Sequence, residues 1–255
     1  MAIKIKKLNY ILHNKYILKN ISLNINEGEI LIIMGPNGSG KSSLIKFLAG
    51  DFPVNNGIIM YDRKDLKEIN LYEQAKIRSV MSQSQEIVYD YSVKEIIEMG
   101  WLNIKTKNNI TLKESLKNVC YECGINNILN RKYNSLSGGE QRSVNFARTL
   151  IQLSFNGNDS NRYFILDEPT ANLDIAHKIA MMNTLCKKKH EGFGIIIVLH
   201  DLNLAYKFAD KIGLMKKGQL KYIGKTEEIF TNKILTSIYE TDVIVNKSNK
   251  TIKYY

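Results

Sequence analysis

Glu29-Ile30-Leu31-Ile32-Ile33-Met34-Gly35-Pro36-Asn37-Gly38-Ser39-Gly40-Lys41-Ser42 passes from an apolar run with β-branched residues into a glycine-rich turn, and Ser43-Leu44-Ile45-Lys46-Phe47-Leu48-Ala49 continues at helical spacing to Gly50. Strand, turn and helix in that order predict a phosphate-binding loop. Gly35, Gly38 and Gly40 let backbone N–H groups converge on phosphate oxygens at the positive end of a helix, with Pro36, Asn37 and Ser39 between them. Lys41 can reach the β- and γ-phosphates, the Ser42 hydroxyl can ligate Mg²⁺, and Ser43 follows in the same cradle. The run implies that the chain binds a nucleoside triphosphate.

Two more apolar runs extend the reading. Tyr163-Phe164-Ile165-Leu166 leads into Asp167-Glu168, and Gly194-Ile195-Ile196-Ile197-Val198-Leu199 leads into His200-Asp201. Both are continuous enough to be buried on two faces, as in a parallel sheet, and both carry polar residues at the C-terminal end, where open α/β sheets bind ligands. Ile3-Lys4-Ile5 and Ile21-Ser22-Leu23-Asn24-Ile25 read as strands around a turn at His13-Asn14-Lys15. From about 84 to 153 the pattern turns helical and polar, as in Val93-Lys94-Glu95-Ile96-Ile97-Glu98-Met99. The expectation is one α/β domain over 1–255: a core of 1–83 and 154–255 with a mixed, mainly parallel sheet and an N-terminal antiparallel segment, and an inserted helical subdomain over 84–153. Asn156-Gly157-Asn158-Asp159-Ser160-Asn161 reads as a turn-forming loop.

Composition excludes more than it selects. The 255 residues can bury one substantial core. No stretch reaches the roughly 18 apolar residues of a membrane span, and the start reads as a strand rather than a signal segment, which predicts a cytoplasmic protein. Three cysteines suit a reducing compartment, and Cys120-Tyr121-Glu122-Cys123 has no second Cys/His pair to complete a zinc site. The formal charge of +11 permits an acidic partner without choosing one. Its densest cluster, Lys187-Lys188-Lys189, reads as the solvated end of a helix rather than a nucleic-acid patch, and no nucleic acid is expected.

Asp167 and Glu168 after a hydrophobic strand suit a carboxylate that orients Mg²⁺ and a neighbour able to polarise water. Leu136-Ser137-Gly138-Gly139-Glu140-Gln141 opens a helix whose N-terminal amides can bind phosphate. With this motif the chain closely resembles the ATP-binding subunits of ABC transporters: Walker A at 35–42, Gln83 after Arg78-Ser79-Val80-Met81, the signature at 136–141, Walker B through Asp167 and Glu168, Ala171-Asn172-Leu173-Asp174 as the D-loop, and His200 as the switch histidine.

The resemblance implies a P-loop NTP hydrolase fold and a head-to-tail homodimer with two ATPs at its interface. Each ATP is held by Gly35 to Ser43 of one subunit and touched by Ser137, Gly138, Gly139 and Gln141 of the other, with Asp174 nearby. Glu168 is the implied general base, His200 contacts the γ-phosphate, and Gln83 joins Ser42 and Asp167 at the metal while linking it to the helical lobe. The adenine-stacking aromatic of the family aligns with Leu12, with Tyr10 and Tyr16 as substitutes.

Within the family, Asn172-Leu173-Asp174-Ile175-Ala176-His177, His200-Asp201-Leu202-Asn203-Leu204-Ala205 and Thr226-Glu227-Glu228-Ile229-Phe230 before Ile238-Tyr239 resemble the ATPases of importers for haem, iron-siderophores and vitamin B12, and the lengthened loop 154–161 resembles those for haem. This implies a peripheral protein on the cytoplasmic side of the membrane, driving a permease dimer fed by a substrate-binding protein. An iron-siderophore or cobalamin is the alternative cargo, and a soluble ATPase of iron–sulfur cluster assembly the alternative of another class. Trp101, the sole tryptophan, is either permease-docking surface or core of the helical lobe.

Overall fold

The computed structural model describes residues 2–83, 87–102, 111–154 and 162–254. In chain order the first elements are β1 (Ala2–Leu12), β2 (Lys15–Asn26), β3 (Ile30–Met34), α1 (Lys41–Ala49), β4 (Ile58–Tyr61), β5 (Lys64–Asp65), α2 (Leu71–Ile77) and β6 (Arg78–Met81). Helices follow: α3 (Val93–Glu98), α4 (Leu112–Glu122) and α5 (Gly138–Gln152). The chain then returns to β7 (Tyr163–Asp167), α6 (Ile175–His190), β8 (Gly194–Val198), α7 (Leu202–Phe208), β9 (Lys211–Lys216), β10 (Gln219–Lys225), α8 (Thr226–Ile229), α9 (Asn232–Tyr239), β11 (Val243–Asn246) and β12 (Thr251–Tyr254). The loop expected at 156–161 lies outside the described residues, as does the expected boundary at 84.

Every residue of β3, β7 and β8 is buried. They form the middle of a six-stranded sheet in the order β10-β9-β3-β8-β7-β6, with parallel pairing from β9 through β6. Alternation sends Ile30, Ile32, Phe164, Leu166, Ile195 and Ile197 to the core beneath the helices, and Leu31, Ile33, Ile165, Ile196 and Val198 to a second core on the opposite face. That second core is closed by α1 and the antiparallel sheet β2-β1-β4-β5. Each fully buried aliphatic side chain contributes about 1.5–3 kcal/mol, so continuous apolarity is what places these strands at the centre. His13 and Asn14, with φ of 48° and 60°, make the tight turn of the β1–β2 hairpin. Among the described residues no helix is long and apolar enough to cross a membrane.

One expectation fails here. Lys188 and Lys189 do not point into solvent: Lys188 Nζ lies 3.2 Å from Glu122 Oε1 and from Glu191 Oε1, and Lys189 Nζ lies 3.1 Å from Asp210 Oδ1. The end of α6 is thereby tied to α4 and to the start of β9. Trp101 is half-buried and packs against the core beneath the helices. At the C-terminus, Asn203 of α7 clamps β12 through both sides of its amide, accepting from Ile252 N at 2.7 Å and donating to Ile252 O at 3.2 Å.

Candidate functional site

The phosphate loop leaves β3 at the centre of the sheet and enters α1 through Gly40, whose φ of 100° makes it a left-handed N-cap. No acidic residue occupies the first turn of α1, so its positive end is free to meet an anion. Lys41 is only 6 % exposed, and its ammonium donates to the carbonyls of Gly35 at 2.9 Å and Pro36 at 3.0 Å. Two of its three N–H groups hold the loop, and the third remains for a phosphate oxygen. Burial pulls the Lys41 pKa below the ordinary lysine value, while Glu168 and Asp167 oppose that shift. Asn37, Gly38, Ser39, Gly40, Lys41, Ser42 and Ser43 line a cleft of about 670 Å³ together with Gln83, Glu168 and His200.

Gly35 is required by crowding as well as by its φ of 143°: a Cβ there would stand 2.0 Å from the Met215 carbonyl oxygen of β9. From α9, the Tyr239 hydroxyl also hydrogen-bonds the Gly35 backbone, and burial pushes the Tyr239 pKa up to about 12. Gly35→Ala should therefore destabilise the fold by roughly 2–3 kcal/mol and weaken nucleotide binding. A thermal unfolding scan with a parallel nucleotide titration checks this; a variant melting with the parent would contradict it.

The catalytic candidates meet at the C-terminal ends of β6, β7 and β8. Gln83 Nε2 donates to Glu168 Oε2 at 3.1 Å, and His200 Nε2 lies 2.6 Å from Glu168 Oε1, so both carboxylate oxygens are held. Glu168 has φ of 50°, a left-handed conformation that costs a non-glycine residue of order 1–3 kcal/mol. Its N–H donates to Val198 O at 3.1 Å. Asp167 accepts a hydrogen bond from Ser42; burial raises its pKa above the usual aspartate value, and that hydrogen bond opposes the rise. Its Oδ1 is buried with no partner among the described residues. A hydroxyl and a carboxylate with one such open oxygen suit a hard cation such as Mg²⁺.

A second cleft of about 680 Å³ contains Ser137, Gly138, Gly139 and Asp174. Ser137 caps α5 in a reciprocal box, its N–H donating to Glu140 Oε2 at 2.8 Å and its Oγ accepting from Glu140 N at 3.3 Å. Asp174 caps α6 and accepts from His177 N at 2.8 Å. The two clefts share no lining residue.

Gln141 lines neither cleft; its amide donates to Tyr133 O at 3.2 Å. Tyr10 is packed between Phe47 and Phe52, Leu12 lines neither cleft, and Tyr16 is exposed; Ile17 is the residue of this hairpin that reaches the phosphate-loop cleft. Sequence reasoning missed Ile17, Tyr239 and Arg142. Arg142 donates to Gln83 O and to Glu168 O, each at 2.7 Å. Its signal was available: a cation near the positive end of a helix is unfavourable without an acceptor.

A family model described as ABC transporter matches residues 18–171. The chain is 38 % identical to the hemin import ATP-binding protein HmuV of Escherichia coli O157:H7, covering 96 % of this chain and 94 % of that one, and 34 % identical to HmuV of Hahella chejuensis, covering 92 % and 91 %. Among solved structures it is similar to cbiO1 of Clostridium perfringens, part of the ABC transporter complex cbiONQ, with a TM-score of 0.75 at 27 % identity over 92 % of both chains. It is also similar to a dimeric bacterial ABC transporter cassette, with a TM-score of 0.75 at 26 % identity over 88 % of this chain and 98 % of that one. The α/β fold, the phosphate loop and the matched family together lead to one conclusion: the chain belongs to the ABC transporter family, as an ATP-binding subunit.

Proposed function

We propose that this chain powers the import of haem across a membrane, with Glu168 as the general base for ATP hydrolysis. The observation that supports the chemistry is the carboxylate of Glu168, gripped on both oxygens by Gln83 and His200 at the mouth of the phosphate loop. Gly35 to Ser43 hold the phosphates, Lys41 neutralises their charge, and Glu168 takes the proton of the attacking water. His200 orients Glu168 and reaches the γ-phosphate. Ser42 and Asp167 would hold Mg²⁺, with Gln83 beside them, and the ion supplies charge neutralisation on the β- and γ-phosphates. This division of labour suits phosphoryl transfer, where catalysis is chiefly positioning and charge stabilisation.

ATP-binding subunits of ABC importers work with a membrane permease. For this chain we infer a head-to-tail homodimer on a permease dimer, fed by a substrate-binding protein and held at the cytoplasmic face. Support for the homodimer comes from the two separate clefts: Ser137, Gly138, Gly139 and Asp174 line one and Lys41 the other with no residue in common, so we infer that the first set, with Gln141 beside it, meets a nucleotide on the Lys41 of a second copy. We read the whole as one domain, core 1–83 and 154–255 with helical subdomain 84–153. Haem is favoured as cargo by the names of the HmuV relatives.

Co-purification tests the reading. Tagged protein from solubilised membranes should bring down one polytopic membrane subunit, and deleting that subunit should release the chain to the cytosol. Recovery with a soluble iron–sulfur scaffold instead would favour the cluster-assembly alternative.

A further inference from the structure

Arg142 does not line the phosphate-loop cleft, yet it grips the backbone of two residues that converge on the carboxylate. Its Nη1 donates to Gln83 O and its Nη2 to Glu168 O, both at 2.7 Å, from a half-buried position on the second turn of α5. A guanidinium presents its donors in a rigid planar fork, so two carbonyls bound through different nitrogens are held at a fixed separation. One of those carbonyls belongs to the left-handed residue Glu168, whose other backbone bonds run to Val198 O and from Ala171 N at 3.2 Å. The helix that carries Arg142 begins at the signature cleft, with Ser137 as its cap and Gly138 and Gly139 as its first residues.

We propose that Arg142 is a positioning residue that couples the signature cleft to the hydrolytic carboxylate of the same chain. A ligand bound at Ser137 to Gly139 shifts or steadies α5, and Arg142 passes that change to the Gln83 and Glu168 backbones together. The Glu168 side chain follows, because its Oε2 accepts from Gln83, whose backbone Arg142 also holds. Occupancy of one cleft is thereby felt at the other without a shared residue, which meets the requirement of two distinct sites joined by one mechanical element. The proposal rests on Glu168 acting as base.

The test compares wild type, Arg142→Gln, Arg142→Lys, Ser137→Arg and the Ser137→Arg/Arg142→Gln double variant, each assayed with Mg-ATP for equilibrium ATP binding, kcat and cooperative unfolding. Arg142→Gln should keep ATP affinity within about threefold and lose about 10²-fold in kcat, the scale expected when a reacting group is misplaced by about 1 Å. Arg142→Lys keeps the charge without the fork and should fall between. The double variant should turn over no more slowly than Ser137→Arg alone, because both lesions cut one route. Arg142→Gln with kcat within twofold of wild type overturns the proposal, as do multiplicative losses in the double variant. So does a loss of kcat that appears in both Arg142 variants only together with lost ATP affinity and lowered unfolding temperature. Wild-type protein without turnover overturns both this proposal and the reading of Glu168, whereas wild-type turnover with Arg142→Gln unaffected overturns this proposal alone.

Discussion

Glu168→Gln should bind ATP as the wild type does and lose about 10²- to 10⁴-fold in turnover, the range associated with removing a general base. The substitution keeps the size of the side chain and removes the charge and the proton acceptor. Gln83 and His200 can still hydrogen-bond an amide, and the Lys41 ammonium keeps its bonds to Gly35 O and Pro36 O. ATP bound without hydrolysis should also accumulate the two-copy complex, visible as an ATP-dependent shift to dimer mass in light scattering. Turnover within a few-fold of wild type in a steady-state phosphate-release assay would assign the base elsewhere.

Lys41→Ala should fail one step earlier, at binding. Its ammonium is the buried cation of the cradle, and hydrogen bonds to a charged group are worth about 1.5–3 kcal/mol, so ATP affinity should fall about 10- to 100-fold. The same truncation frees the Gly35 and Pro36 carbonyls that the ammonium holds, which adds disorder of the loop to the loss of charge. Equilibrium titration with ATP, under conditions where the variant still unfolds cooperatively, separates this result from global destabilisation. Unchanged affinity would show that the nucleotide is held elsewhere.

The parts of the fold that were legible are those where one segment decides its own fate. β3, β7 and β8 are apolar without interruption, so each is predicted from its own residues and each is buried throughout. The phosphate loop is likewise written locally, in glycines whose φ values no other residue adopts easily. What was misread depends on partners distant in the chain. Lys188 and Lys189 look like solvated helix-end lysines until α4 brings Glu122, and the start of β9 brings Asp210, beside them. Arg142 is one position beyond the recognised motif, and its acceptors lie 59 and 26 residues away. Tyr10 fits an adenine-stacking role by sequence, yet Phe47 and Phe52 draw it into an aromatic cluster, and Ile17 reaches the cleft instead. The hairpin β11–β12 was not foreseen, since four-residue strands carry too short a pattern and rely on Asn203 for their anchorage.

Hydrolysis at Glu168 and the transport of haem can be tested together in one uptake experiment. In a strain lacking this gene and every other route of haem uptake, with haem as sole iron source, accumulation of labelled haem is followed after return of the wild-type gene or of Glu168→Gln. Uptake is expected with the wild type, and none above the empty-vector level with Glu168→Gln at equal protein abundance. Uptake that is normal without the gene, or equally restored by both versions, would contradict it.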